Sequence, residues 1–186
     1  MNLRCTPAVA AAFAAALVLA ACTSQVEGQA TPSSTPTSSA SSTPPSDPAN
    51  PFAGLSACKI LDQAMSGLGL PAATPTVAYP GISCAISTNT SGNTPGTDLA
   101  LSLQAGRKYD ANINNPSKAS TGFVNGRPSI EEREPLTISG QCGINIEVKP
   151  SSQAVIVFSS GSDTERACKT IEGYAAKIEP LLPKTS

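Results

Sequence analysis

Two residue types, His and Trp, are missing from this sequence of 186 residues, and the other aromatic residues are scarce, with four Phe and three Tyr. Without His, the chain lacks the commonest general base and the commonest metal ligand. The scarcity of bulky aromatic side chains disfavours a cavity lined by them for an apolar ligand. The chain has 12 basic and 13 acidic residues but no basic block, which argues against nucleic acid as a partner.

An apolar segment lies near the start of the chain. Arg4 precedes residues 8–21, which are all Ala, Val, Leu or Phe. This run is shorter than the ~20 apolar residues that a membrane-spanning helix needs, and it has the size of a signal-peptide core. It ends in Leu19-Ala20-Ala21-Cys22, which resembles the bacterial lipobox. We therefore expect residues 1–21 to be a lipoprotein signal peptide; an ordinary secretory signal followed by a chance cysteine is the alternative.

The lipobox resemblance implies that Cys22 becomes the mature N-terminus and carries fatty chains such as palmitate. One chain binds a bilayer only reversibly, whereas two or three would hold the protein on the extracytoplasmic face of the cell membrane. Eighteen of the residues 23–50 are Ser, Thr or Pro, so this segment cannot bury enough apolar surface to offset the entropy of ordering. Residues 22–50 are accordingly predicted to be a lipid-anchored, disordered tether.

Residues 51–186 are predicted to form a single domain that begins and ends with a helix. The first helix starts near Ser56 as its N-cap, has apolar residues at helical spacing as far as Leu68, and should be stopped by Gly67, Gly69 and Pro71. The second starts with a capping box between Ser162 and Glu165 and carries an apolar stripe as far as Leu182. Pro180 and Pro183 should end it.

Strand patterns fill the sequence between these helices. Alternating apolar residues mark three strands, and residues 154–158 form a shorter apolar run. Residues 123–132 predict a weaker edge strand, because Gly126 and Pro128 interrupt them. The fold class is therefore predicted as α+β, an antiparallel sheet with both helices packed on one face. The alternating residues are Ile82, Cys84 and Ile86; Leu99, Leu101 and Leu103; and Ile144, Ile146 and Val148.

Four cysteines in this domain occupy core-facing positions of the predicted helices and strands. They are Cys58, Cys84, Cys142 and Cys168. Outside the cytoplasm such cysteines indicate two disulfides, and three connectivities are possible. We favour Cys58–Cys84 with Cys142–Cys168, because each bond joins a helix to the strand nearest in sequence. A four-cysteine metal site is disfavoured, because the chain has no Cys-x-x-Cys pair.

Motifs for catalysis are weak. Ser56 and Lys59 form a Ser-x-x-Lys pair, but the Ser-Asp-Asn and Lys-Thr-Gly elements of penicillin-binding enzymes are missing. Glu131, Glu132 and Glu134 could supply paired carboxylates, although a solvated strand edge explains them better. We therefore expect no catalytic residue, no cofactor and no metal, and a serine hydrolase that uses Ser56 and Lys59 is the least favoured alternative.

Several short segments form a pattern together with the lipobox, the tether and the Cys84 strand. They are Cys58-Lys59-Ile60-Leu61, Val124-Asn125-Gly126-Arg127-Pro128, Cys142-Gly143-Ile144-Asn145-Ile146, Ala167-Cys168 and Leu181-Leu182-Pro183. In their order and spacing these features resemble the actinobacterial lipoproteins of the domain-of-unknown-function 3558 family. One departure is Ile86, where such proteins often have Trp. The resemblance implies an envelope lipoprotein of unestablished role, with no catalytic residues to transfer.

The function expected from these features is a non-enzymatic binding or interaction module. It would present a sheet face, an edge strand or residues 122–133 to another envelope protein or to a cell-wall polymer. The alternative is a carrier that holds a lipid or small hydrophobic ligand in a pocket between helix and sheet. The near-absence of bulky aromatic residues favours the interaction module.

Overall fold

A computed structural model of the protein describes residues 50–76 and 82–184. The predicted signal peptide, Cys22 and nearly all of the predicted tether lie outside these residues. Within them, no helix is both long and apolar enough to cross a membrane. The elements, in chain order, are α1 (Ala57–Ala64), β1 (Thr74–Pro75), β2 (Ser83–Thr88), β3 (Thr97–Ala105), β4 (Ala119–Val124), β5 (Arg127–Arg133), β6 (Gln141–Lys149), β7 (Ser152–Ser160) and α2 (Thr164–Ile178).

The strands form one antiparallel sheet of seven strands in the order β1-β2-β3-β7-β6-β5-β4. Both helices pack on the same face, α1 against β2 and β3 and α2 against β6 and β7. The predicted α+β class and arrangement are therefore confirmed. The core lies between this face and the helices because alternate strand residues point to it.

One row of paired residues crosses the helix-covered face and explains where the core ends. Leu101 on β3 pairs with Ile156 on β7, which pairs with Ile144 on β6, and all three are buried. Ile144 in turn pairs with Glu131 on β5, and Glu131 with Ser120 on β4. The apolar row thus becomes polar over the last two strands, on the same face as α2.

Two disulfides tie the helices to the sheet. Cys58 on α1 is bonded to Cys84 on β2, with a Cα–Cα distance of 5.1 Å. Cys142 on β6 is bonded to Cys168 on α2, with a Cα–Cα distance of 5.0 Å. This is the pairing that the sequence favoured, and each bond fixes a helix to the strand beneath it.

The helix ends differ from the sequence expectations in two respects. The first helix ends at Ala64, so Leu68 lies beyond it and is 44% exposed instead of packed on the apolar face. Gly67 causes this early end, because its φ of +81° is left-handed and cannot continue a helix. At α2 the N-cap is Asp163, whose carboxylate accepts from the Arg166 N–H at 3.0 Å, and not Ser162.

The predicted edge strand over residues 123–132 is instead a hairpin of two strands. Asn125 and Gly126 form its turn, and both have positive φ, +48° and +88°. A type I′ turn requires this at both central positions, and Asn-Gly is its preferred sequence. Pro128 is accommodated after the turn, opposite Phe123. The edge position of the outer strand is correct, but β5 is an interior strand of the sheet.

Candidate binding site at the β4–β5 hairpin

The two edges of the sheet differ in how well they are protected against pairing with another chain. At one edge, β1 has only two residues, one of which is Pro75. At the other edge, β4 has six residues, Ala-Ser-Thr-Gly-Phe-Val, with no charge and no proline. Proteins usually protect an edge strand with charges, proline or short length, because its open N–H and C=O groups accept further strands. The β4 edge lacks all three.

The hairpin geometry identifies which backbone groups of β4 are open. A two-residue turn makes Val124 and Arg127 a hydrogen-bonded pair, and such pairs alternate along the hairpin. The N–H and C=O groups of Thr121 and Phe123 therefore point away from β5. The next outward N–H along β4, that of Ala119, donates to the Pro116 carbonyl instead. Phe123 is 76% exposed, so a large apolar side chain accompanies the open edge.

The hairpin is fixed to the end of α2 by two polar contacts. Asn125 Nδ2 donates to the Ala176 carbonyl at 2.9 Å. Arg127 Nε donates to the Glu179 carboxylate, in an ion pair whose side chains are only 8% and 12% exposed. These contacts hold β4 at a defined distance from the helix and so keep the space between them open.

That space is a groove of about 340 Å³ between β4, β5 and α2, which we call the hairpin groove. Ile144 contributes a buried apolar side chain to its lining, whereas Glu131 and Glu172 contribute carboxylates from β5 and α2. At Gly122 an added Cβ would meet only the Ser129 Oγ, at 3.9 Å, so the β4 side of the groove is open. The lining also includes Ser120, Thr121, Phe123, Val124, Asn125 and Ala176.

Glu131 is the electrostatically unusual residue of this groove. Burial raises the pKa of its carboxyl above the ordinary 4.5, the charge of Glu172 raises that pKa further, and Arg133 opposes both effects. Arg133 does not cancel the rise: its Nε lies 3.7 Å from Glu131, whereas its Nη2 lies 2.5 Å from Glu165. Glu131 is therefore a half-buried acid that shares its cation, Arg133, with Glu165, and acids with perturbed pKa values are enriched at functional sites.

Glu131 also lies beside the Cys142–Cys168 disulfide. One carboxylate oxygen and the two sulfur atoms lie within 4.8 Å of one another. A carboxylate and two thiolates would suit Zn²⁺, but each of these sulfur atoms is bonded to the other. In this state the disulfide supports the groove by fixing α2 to β6.

The other predicted site residues lie away from the hairpin groove. The Ser56 Oγ accepts from the Lys59 backbone N–H at 3.4 Å, which is the N-cap contact of α1, and the Lys59 side chain is exposed. Glu132 was expected on a solvated edge but is only 4% exposed, because the outer face of the sheet is covered there by residues 106–118. Cys22 lies outside the described residues.

The sequence contained one signal for this site that the strand interpretation missed. Asn125-Gly126 between two β-prone segments is the strongest short-range indication of a hairpin. A hairpin predicted from this turn would have placed residues 119–124 on the edge strand of the sheet and Glu131 on the strand next to it. The approach of Glu172 to Glu131 depends on how α2 crosses the sheet, for which the sequence has no local signal.

Comparison with known proteins places the chain in a family without assigning a role. No curated protein and no solved structure matches it. The family model described as "Protein of unknown function (DUF3558)" matches residues 17–181, which include the whole sheet and both helices. The chain therefore belongs to the DUF3558 family.

Proposed function

We propose that the protein is a non-enzymatic binding module that takes an extended peptide segment of a partner as an additional strand beside β4. The observation that carries this proposal is the long, uncharged β4 edge, in contrast to the short, proline-containing β1 edge. The backbone groups of Thr121 and Phe123 would supply the main-chain hydrogen bonds, as in other cases of strand addition.

The hairpin groove favours a segment with a basic side chain. Neighbouring strands lie about 4.8 Å apart, so an added strand would lie about 10 Å from the backbone of β5. A Lys or Arg on that strand can extend over Gly122 while the Glu131 side chain extends from the opposite side. The Glu131 and Glu172 carboxylates complement such a cation, whose charge would offset the repulsion between them.

The predicted lipid anchor and tether suit this role. As part of the same proposal, fatty chains on Cys22 hold the protein at the extracytoplasmic face of the membrane. The predicted tether of 28 residues, 23–50, would have an end-to-end distance of roughly 30 Å as a random coil. The β4 edge would thus search a shell near the membrane, where peptide segments of envelope proteins or of the cell wall are accessible.

An array of ten-residue peptides with one central Lys tests the proposal on the full chain in detergent. We expect binding to some of these peptides, and at least tenfold weaker binding when the central Lys is replaced by Glu. Thr121→Pro should abolish binding, because it removes an outward N–H without affecting the ladder to β5. Thr121→Val, which retains that N–H, is the matched control and should bind normally. The absence of binding, or equal binding by Thr121→Pro, would contradict the proposal.

A second candidate function, the carrier of a small hydrophobic ligand, is favoured by one other feature. Phe52, Leu55, Ile82 and Leu103 contribute to the lining of a surface pocket of about 310 Å³. Leu55 and Ile82 are 37% and 41% exposed there, so apolar surface is available to a ligand. Native mass spectrometry of protein from its own host distinguishes the two functions, because a stoichiometric bound lipid would favour the carrier.

A further inference from the structure

A cavity of about 180 Å³ lies on the outer face of the sheet, opposite the helices and separate from the hairpin groove. Residues 106–118, which we call the strap, cross this face between β3 and β4. Asn145 Nδ2 donates to the Tyr109 carbonyl of the strap at 3.3 Å, and the Asn115 N–H donates to the Glu132 carboxylate. The cavity lies between the strap and the strands, so its walls come from both.

Most of the lining is polar, and uncharged amides are the largest group in it. Gln104, Asn112, Asn114, Asn145 and Gln153 supply side-chain amides, which both donate and accept hydrogen bonds. The two charged side chains of the lining, Arg107 and Glu132, are opposite in sign, so the cavity has no net charge. The remaining lining residues are apolar or lack a side chain: Pro135, Gly143, Val155 and Val157.

Gln153 shows that this polar lining is not fully paired. Its side chain is 2% exposed, and Nε2 donates to Gln104 Oε1 at 2.9 Å. Its Oε1 is buried and has no hydrogen-bond partner among the described residues. A flip of both amides would exchange donor and acceptor between the two residues and leave an unpaired Gln153 nitrogen instead. A buried polar atom without a partner is unfavourable, so packing and internal hydrogen bonds alone do not explain this amide pair in the cavity wall.

We propose that the cavity binds a single neutral saccharide unit. Sugar hydroxyls match amides because each hydroxyl also donates and accepts, and Val155 and Val157 can contact the C–H face of the ring. Arg107 and Glu132 add one donor group and one acceptor without selecting a charged ligand. The volume equals that of about six waters at ~30 Å³ each, which limits the occupant to one small ring. The unit is either a free monosaccharide or the terminal residue of a glycan.

Gly143 offers a substitution that fills the cavity and leaves the fold intact. A Cβ at this position would approach no atom closer than 3.6 Å, and the nearest is Pro135 Cγ in the cavity wall. Gly143→Ala should therefore fold normally and narrow the site. Gly122→Ala is the matched control, because it adds the same methyl group to a strand on the opposite face, where only Ser129 Oγ lies within 4 Å.

NMR of the side-chain amides during sugar titrations of the full chain tests the proposal. The sugars are glucose, galactose, mannose, arabinose, N-acetylglucosamine and the charged sugar glucuronate. We expect at least one neutral sugar to shift the Gln104, Asn145 and Gln153 signals, and glucuronate to bind at least tenfold more weakly. Gly143→Ala and Gln153→Met should each raise the dissociation constant at least tenfold, whereas Gly122→Ala should leave it unchanged. If methyl glycosides and trisaccharides bind as tightly as the free sugar, the natural ligand is the end of a glycan. If they do not bind, the natural ligand is a free monosaccharide.

Two results would overturn the proposal. One is that no neutral sugar in the panel shifts these amide signals. The other is that Gly143→Ala binds a sugar as tightly as the unsubstituted protein while its unfolding midpoint is also unchanged. Asn112→Ala adds a variant at an exposed lining residue, where folding is not at risk, and it should also weaken binding. Because Thr121 does not line this cavity, peptide binding and sugar binding can fail independently.

Discussion

Glu131 on β5 and Glu172 on α2 line the same groove, and the charge of Glu172 adds to the effect of burial in raising the pKa of Glu131. Arg133 forms an ion pair with Glu131 at 3.7 Å, but its guanidinium lies nearer to Glu165, at 2.5 Å, and does not cancel the rise in the pKa of Glu131. The fold therefore retains an unfavourable electrostatic arrangement beside an unprotected strand edge. Such local conflicts are expected where a site is shaped for a ligand.

Glu131→Gln should stabilise the protein at neutral pH. Between the ordinary Glu pKa of 4.5 and the raised pKa of Glu131, the native state binds more protons than the unfolded chain. Stability therefore falls as pH rises through this window, and the loss is complete above the raised pKa. The variant lacks this loss, so its advantage in urea unfolding should be absent at about pH 4 and full at neutral pH.

Glu172→Gln is the companion variant, because it removes the charge that raises the pKa of Glu131 and leaves the effect of burial unchanged. It should give part of the gain seen with Glu131→Gln and lower the pKa of Glu131, as read by NMR of the side-chain carboxyl. A Glu131→Gln variant that is less stable than the unsubstituted protein at neutral pH would contradict this account of the groove.

Arg127→Met should destabilise the protein by about 3 kcal/mol, because it leaves the Glu179 carboxylate nearly buried without its cation. Urea unfolding measures this loss. The double variant Arg127→Met/Glu179→Gln should recover a large part of it, since no unpaired charge then remains. A loss below about 1 kcal/mol would mean that the pair behaves as a surface salt bridge.

Both disulfides should contribute similarly to stability. Each has a sequence separation of 26, for which the loop-closure estimate is about 3–4 kcal/mol. A double variant in which both Cys142 and Cys168 are replaced by Ala should have a lower thermal midpoint under non-reducing conditions. The corresponding double variant of Cys58 and Cys84 should have a comparably lower midpoint. An unchanged midpoint for either pair would show that the bond does not constrain the unfolded chain.

Cys22→Ser should release the protein from membranes. The variant lacks the sulfur to which the predicted fatty chains attach, so it should move from the detergent phase to the aqueous phase in a phase-separation assay. Mass spectrometry of the N-terminal peptide from the unsubstituted protein should show acylation at Cys22. Cys5→Ser is the control, since Cys5 precedes the predicted cleavage site and should not affect partitioning.

The spacing of apolar residues in the sequence was enough to predict those helices and strands that have one apolar face. Leu99, Leu101 and Leu103 alternate along β3, and the inward-facing cysteines on α1, β2, β6 and α2 form the favoured disulfides. Prediction failed where a turn residue outweighed the apolar pattern. Gly67 was expected to stop α1, but Leu68 was still counted in its apolar stripe, and Asn125-Gly126 divided one expected strand into a hairpin.

The candidate sites were less predictable, because they depend on contacts between distant parts of the chain. Glu131 and Glu172 are 41 residues apart and meet only when α2 crosses the sheet. Likewise, Glu132 has the sequence context of an exposed edge residue but is buried, since the strap contacts the sheet at that point. The strap itself has no apolar periodicity, so the sequence did not indicate which face it would cover.

Amide hydrogen exchange at Thr121 and Phe123 tests the central claim most directly. In the full chain without peptide, both amides should exchange rapidly, because their N–H groups point away from β5. On saturation with a Lys-containing peptide from the array, we expect exchange at both positions to slow at least tenfold, while the already paired Gly122 amide changes little. A peptide that binds and leaves exchange at Thr121 and Phe123 unchanged would show that the partner does not pair with β4.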